Sequence, residues 1–100
     1  MEETASLGTL TADDFVKHVN TVFTFHDGNR EWQLRLISVS SLTARPGKRQ
    51  PFSLVFTGAP GVVFRQQMYP LEHSSLGRLP IFLVPIGADT EGTQYEAVFS

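Results

Sequence analysis

Leu79-Pro80-Ile81-Phe82-Leu83-Val84-Pro85-Ile86-Gly87 is the longest nearly unbroken apolar run in the chain, and it carries no charge. Pro80 and Pro85 leave too few residues between them for a stable helix, so the stretch reads as a strand. Side chains alternate across a strand, which sends Ile81 and Leu83 one way and Phe82, Val84 and Ile86 the other. Both faces are apolar, which predicts a strand covered on both sides, its ends marked by the two prolines. On this reading Phe82 is core, and truncating it to alanine is expected to cost ~3–5 kcal/mol.

The rest of the chain supplies partners for that strand. Upstream, Gln66–His73 places Tyr69, Leu71 and His73 on one face and Met68, Pro70 and Glu72 on the other; Pro70 marks an edge or a bulge. Ser74-Ser75-Leu76-Gly77 turns between the two. Downstream, after a loop, Thr93–Phe99 sends Tyr95, Ala97 and Phe99 to one side. Earlier strands are Thr21–His26, with Phe23 and Phe25 on one face, then Glu31–Leu42 after an Asp27-Gly28-Asn29 turn, then Pro51–Thr57 with Phe52, Leu54 and Phe56 aligned. In Glu31–Leu42 the apolar parity changes from Trp32, Leu34 and Leu36 to Ile37 and Val39, which predicts a bulge near Leu36–Ser38. Gly58-Ala59-Pro60-Gly61 breaks the third strand, and Val62-Val63-Phe64 is an irregular apolar patch.

One helix is expected, over Ala12–Val19. Thr11 suits the N-cap, Asp13 and Asp14 suit the positive end of the helix dipole, and Leu10 with Phe15 matches a hydrophobic staple. Two turns are too short to stand alone, so the helix must dock. No connection is long enough for a crossover helix, so sequential strands should pair antiparallel. The expected fold is all-β and mostly antiparallel: a small six-stranded barrel or two-sheet sandwich with one short N-terminal α-helix. Residues 1–9 read as a loose tail and 10–100 as a single β domain.

Composition narrows the chemistry. The 100 residues are 41% hydrophobic and 11% aromatic, enough for one core, and the eight phenylalanines must mostly be inside. A net charge of −2 gives no electrostatic footprint for nucleic acid. Cysteine is absent, which removes disulfides and thiolate metal sites. The first residues have neither the basic nor the apolar segment of a secretory signal, and no run is long enough to span a membrane; the expected location is cytoplasmic or within an assembled particle.

Candidate polar sites are few. His18, His26 and His73 lack the short fixed spacing of metal ligands, so neither a metal nor a cofactor is expected. His18 suits the end of the helix and His26 the end of a hairpin. His73 follows Glu72 and shares a face with Tyr69, so an acid/base pair is conceivable, but neighbours in a strand point to opposite faces. An inward His73 is expected to hydrogen-bond the backbone of the Ser74–Gly77 turn instead. Ser53 lacks the glycine elbow of a hydrolase nucleophile, and Arg45, Lys48 and Arg49 read as solvated loop residues that could also meet an acidic partner. No residue is assigned as catalytic.

Taken together, Leu10-Thr11-Ala12-Asp13-Asp14-Phe15, Pro51-Phe52-Ser53-Leu54-Val55-Phe56, Tyr69-Pro70-Leu71-Glu72-His73, Phe82-Leu83-Val84-Pro85 and Tyr95-Glu96-Ala97-Val98-Phe99 resemble a family of small bacterial domains of unknown function. The resemblance covers Leu10 to Phe99 and brings no catalytic residues. It implies neighbourhood with phage-tail-like and tail-collar proteins. The expected role is a non-enzymatic interaction or assembly module, such as an accessory piece of a phage-tail-like or surface particle, working by self-association or capture of a protein partner. Met68 and Pro70 on one strand, and Tyr95 and Val98 on the last, mark the candidate interaction edges. The alternatives are a β-barrel or sandwich holding a small apolar ligand inside, and an enzyme using His73 with Tyr69. An interior filled by phenylalanine favours assembly; an unfilled tunnel favours ligand binding.

Overall fold

A computed structural model describes residues 10–44, 46, 47 and 50–99. One helix, α1 (Ala12–Val16), precedes six strands: β1 (Val22–Asp27), β2 (Arg30–Ser41), β3 (Phe52–Gly58), β4 (Gln67–His73), β5 (Gly77–Asp89) and β6 (Gly92–Phe99). They close into an antiparallel barrel in the order β1-β2-β3-β6-β5-β4, which decides between barrel and sandwich. Four sequential pairs are neighbours and antiparallel, but β3 and β4 are not adjacent: β6 lies against β3, and β4 closes against β1.

Alternation along each strand produces one buried inner face. Phe23 and Phe25, Leu34 and Leu36, Phe52, Leu54 and Phe56, Leu71, Leu79, Ile81 and Leu83, and Tyr95 and Ala97 fill the interior. The bulge foreseen in β2 is present: Leu36 faces Phe56 and Ser38 faces Val55, leaving Ile37 as the extra residue and turning Val39 toward the core. The β1–β2 turn needs only Gly28 and Asn29, with Gly28 at φ 64°, a conformation that glycine adopts without penalty.

The strand that organises the fold differs from the sequence reading in two respects. It runs from Gly77 to Asp89, through both prolines. Pro70 stands directly opposite Pro80. Because proline has no N–H, this pair must occupy a non-hydrogen-bonded position of the β4–β5 ladder, where neither ring interrupts a bond between the two strands. The outer face of β5 is also uncovered: Phe82 is 47% exposed and Ile86 52%. A barrel has one interior, and that interior takes Leu79, Ile81 and Leu83. The expected core role of Phe82 is therefore corrected.

The same register explains the seam. With Pro70 and Pro80 in a non-hydrogen-bonded pair, the backbone of Pro70 faces β1, toward which it can donate nothing. The β1–β4 ladder accordingly consists of Thr24 opposite Glu72 and goes no further toward Pro70. Pro70 lies on a closing strand with a short seam rather than on a free edge. Tyr95 is likewise not at an edge, because it pairs with Phe56 of β3 and with Pro85 of β5. Val98 pairs with Ser53 of β3 and lies beyond the β5 ladder, which runs from Gly92 to Glu96. At the start of β6 the backbones approach so closely that a Cβ on Gly92 would collide with the Gly58 carbonyl.

Both ends of the barrel are plugged. At one end α1 lowers Phe15, fully buried, onto Phe52 and Phe99, at ring-centroid distances of 5.8 and 5.5 Å. Thr11 is the N-cap, and the Asp14 carboxylate reaches back to accept from its N–H at 2.8 Å and from its hydroxyl at 3.3 Å. The helix stops at Val16 rather than Val19: residues 17–20 form turns, and Asn20 takes φ 75° as the chain bends into β1. At the other end, Phe64 from the β3–β4 connection packs on Phe25, Trp32, Tyr69 and Tyr95. Within the apolar patch Val62–Phe64 it is Phe64 that plugs, held by Tyr95, whose hydroxyl accepts from the Phe64 N–H at 3.0 Å, while Val63 stays exposed.

Candidate functional site

Tyr69 and His73 both point inward, but they are four positions apart along the strand, about 13 Å. Tyr69 belongs to the Phe64 end. Its hydroxyl donates to the Arg65 carbonyl at 2.6 Å, and burial, followed by the neighbouring Tyr95, pushes its ionisation upward, so it stays a neutral donor. His73 belongs to the α1 end. The two side chains do not converge on a common reacting position.

His73 is 7% exposed and fully engaged. Its Nδ1 accepts from the N–H of Ser75 at 3.0 Å and of Leu76 at 3.2 Å, the turn contact expected of an inward histidine. Nδ1 is therefore the bare nitrogen, and Nε2 carries the proton and donates to Thr21 Oγ1 at 2.9 Å. Thr21 in turn donates to the His18 carbonyl at 2.6 Å. Burial, and next the His18 ring, push the His73 imidazole below the usual histidine range. A neutral ring with both nitrogens occupied and no free lone pair suits a structural lock rather than a general base or a ligand.

Of the other two histidines, one touches His73 and one stands apart. His18, in the turn after α1, meets His73 edge-on at 4.6 Å. His26 lies on the exposed outer face of β1, 3.6 Å from Glu31 and 3.8 Å from Glu72. No group of three or more His, Cys, Asp or Glu side chains arranged to hold a metal occurs among the described residues. Arg45, Lys48 and Arg49 lie outside the described residues, as does the 1–9 tail. No helix among the described residues is long and apolar enough to cross a membrane. A groove of about 420 Å³ runs along the β1–β4 seam, with Phe25, Phe64 and Tyr69 beneath and Asp27, Arg65 and Gln67 at its walls. It is a surface groove; the interior itself is occupied by side chains.

The feature that stands out is on the outside. Met68 faces Phe82 across the β4–β5 ladder. Val84 faces Glu96 across β5–β6, and continuing that register by two residues brings Phe82 level with Val98. Met68, Phe82 and Val98, 54%, 47% and 59% exposed, thus form one transverse apolar row on the outer face of β4, β5 and β6, with Ile86 farther along β5. Met68 and Val98 were singled out as edge residues; the structure joins them through a face. Phe82 and Ile86 were missed because alternation alone does not say which of two apolar faces is inside.

Comparison with known proteins adds a family. No curated protein and no solved structure matches the chain. A family model for a domain of unknown function matches residues 10–99, covering the helix and all six strands. The chain belongs to that family, DUF6916.

Proposed function

We propose that the domain is a non-enzymatic interaction and assembly module that presents the outer face of β4–β5–β6 to another protein chain. The observation that carries this reading is the outward pair Met68–Phe82, with Val98 of β6 where the β5–β6 register continues: three large apolar side chains, about half exposed, on a sheet whose opposite face already supplies the core. Contiguous exposed apolar surface of this kind marks interaction sites in folded proteins. The filled interior supports assembly over an internal apolar ligand, and the separation of Tyr69 from His73 supports it over the enzymatic alternative. Contact in this reading is through side chains of a face, because the exposed apolar groups Met68, Phe82 and Val98 point outward from strands that are neighbours in the closed barrel. An accessory place in a phage-tail-like or surface particle is the setting that the family resemblance implies, and it fits a small domain whose contact surface lies on one side.

The test is residue-specific photo-crosslinking in cells that produce the protein, with the photoreactive residue at Val98 and, as control, at Gln33, which is exposed on β2. Crosslinking of one defined protein chain from position 98, a second copy included, and none from position 33 is the expected result. No protein adduct from 98, together with a strictly monomeric mass at high concentration, contradicts the proposal.

A further inference from the structure

We propose that His73 is an acid-sensitive latch that holds the β4–β5 turn and the turn after α1 closed over one end of the barrel. Three segments meet at this ring. Nδ1 accepts from the backbone N–H groups of Ser75 and Leu76, which fixes the β4–β5 turn, and Leu76 packs against the core. Nε2 donates to Thr21, whose hydroxyl closes the post-helix turn by donating to the His18 carbonyl. The ring plane is packed by Phe23 at 4.4 Å. The two turn bonds require an unprotonated Nδ1.

A proton on Nδ1 reverses one end of the arrangement. The new N–H points at two N–H donors, so both turn bonds are lost at once, while the Nε2–H bond to Thr21 persists. The surroundings do not favour the cation. From the segment after α1 the facing groups are the His18 imidazole at 4.6 Å and the uncharged Thr21 hydroxyl; from β1 it is Phe23. Glu72 and Arg78 stand opposite each other on the outer side of β4 and β5, Asp14 is turned back to Thr11, and Asp13 and Lys17 are exposed. The stabilisation is therefore complete above the value for an unfolded histidine, about 6.5, and is lost as pH falls from there toward the depressed value of the folded protein. Acid frees the Ser75–Leu76 turn first and leaves the β3–β6 ladder intact. This is a local opening rather than a global one.

The experiment is nuclear magnetic resonance on the wild-type protein, reading the His73 ring nitrogens and the amide-exchange protection of Ser75 and Leu76 between pH 8 and 4. At pH 7.5 the ring should carry its proton on Nε2. Below about 6.5, and down to the lower pH at which the folded His73 titrates, the protection of Ser75 and Leu76, corrected for intrinsic exchange, should fall by up to about tenfold per pH unit. Leu54 and Ala97, paired in the β3–β6 ladder, should keep theirs. His73→Gln, which retains a side-chain acceptor, should abolish the acid step; if that variant does not fold, the wild-type titration decides alone. A proton on Nδ1 at pH 7.5 overturns the proposal. So does turn protection that outlasts His73 titration, or that is lost only together with Leu54 and Ala97.

Discussion

On β5, Leu79, Ile81 and Leu83 are buried inside the barrel, whereas Phe82, between two of them, is 47% exposed and Ile86, farther along, 52%. The residues of the two faces are alike in hydrophobicity, and their fates are opposite. The inner face has the barrel interior to enter; the outer face leaves Phe82 and Ile86 about half in water. Apolar character on one strand thus serves two ends, cohesion within the chain and, in the reading proposed here, adhesion between chains.

Substitutions on the two faces put that division at risk, beginning with the largest effect. Ile81→Ala opens a void in a filled interior and should lower stability by about 2–5 kcal/mol in urea melts. A loss as small as that of a surface residue would mean that the barrel is not packed as described. Next comes Asp14→Ala, at the helix that plugs the Phe15 end. It removes the carboxylate that accepts from the Thr11 N–H, and an effect of ~1 kcal/mol is expected. Thr11→Ala removes only the hydroxyl, which donates to that carboxylate at 3.3 Å, so it should cost less than Asp14→Ala. The reverse order would move the cap back to the threonine side chain. Smallest is Phe82→Ala, which should cost about 1 kcal/mol or less because half the ring is already in water. A loss of several kcal/mol would make Phe82 a core residue after all and remove the distinction between the faces.

How much of this was legible beforehand depends on whether a feature is local. The Leu36–Ser38 bulge showed as a change of apolar parity, and the Thr11–Asp14 helix start showed in side-chain types at fixed offsets. The turn contact of His73 followed from strand alternation once the ring was taken as inward. Three things were not local. The exposure of Phe82 depends on the barrel having a single interior, a property of all six strands. The β3–β6 and β1–β4 pairings join segments distant in sequence, so the pattern of sequential hairpins could not reveal them and left β6 looking like an edge. The role of Phe64 as a plug comes from an irregular connection, where no periodicity shows which way a side chain turns. For the candidate site, Met68 and Val98 were named individually, but their union required Phe82 between them on the outer face.

One measurement bears most directly on that union. The photoreactive residue is placed at Val98, and the chain is compared with and without Phe82→Glu, recording the crosslinked adduct and the thermal midpoint for each. The account predicts that Phe82→Glu abolishes the adduct and shifts the midpoint by only a few degrees, since the side chain it replaces belongs to the contact and not to the core. An adduct that survives Phe82→Glu, or a variant that loses the adduct only because it no longer folds, would contradict it.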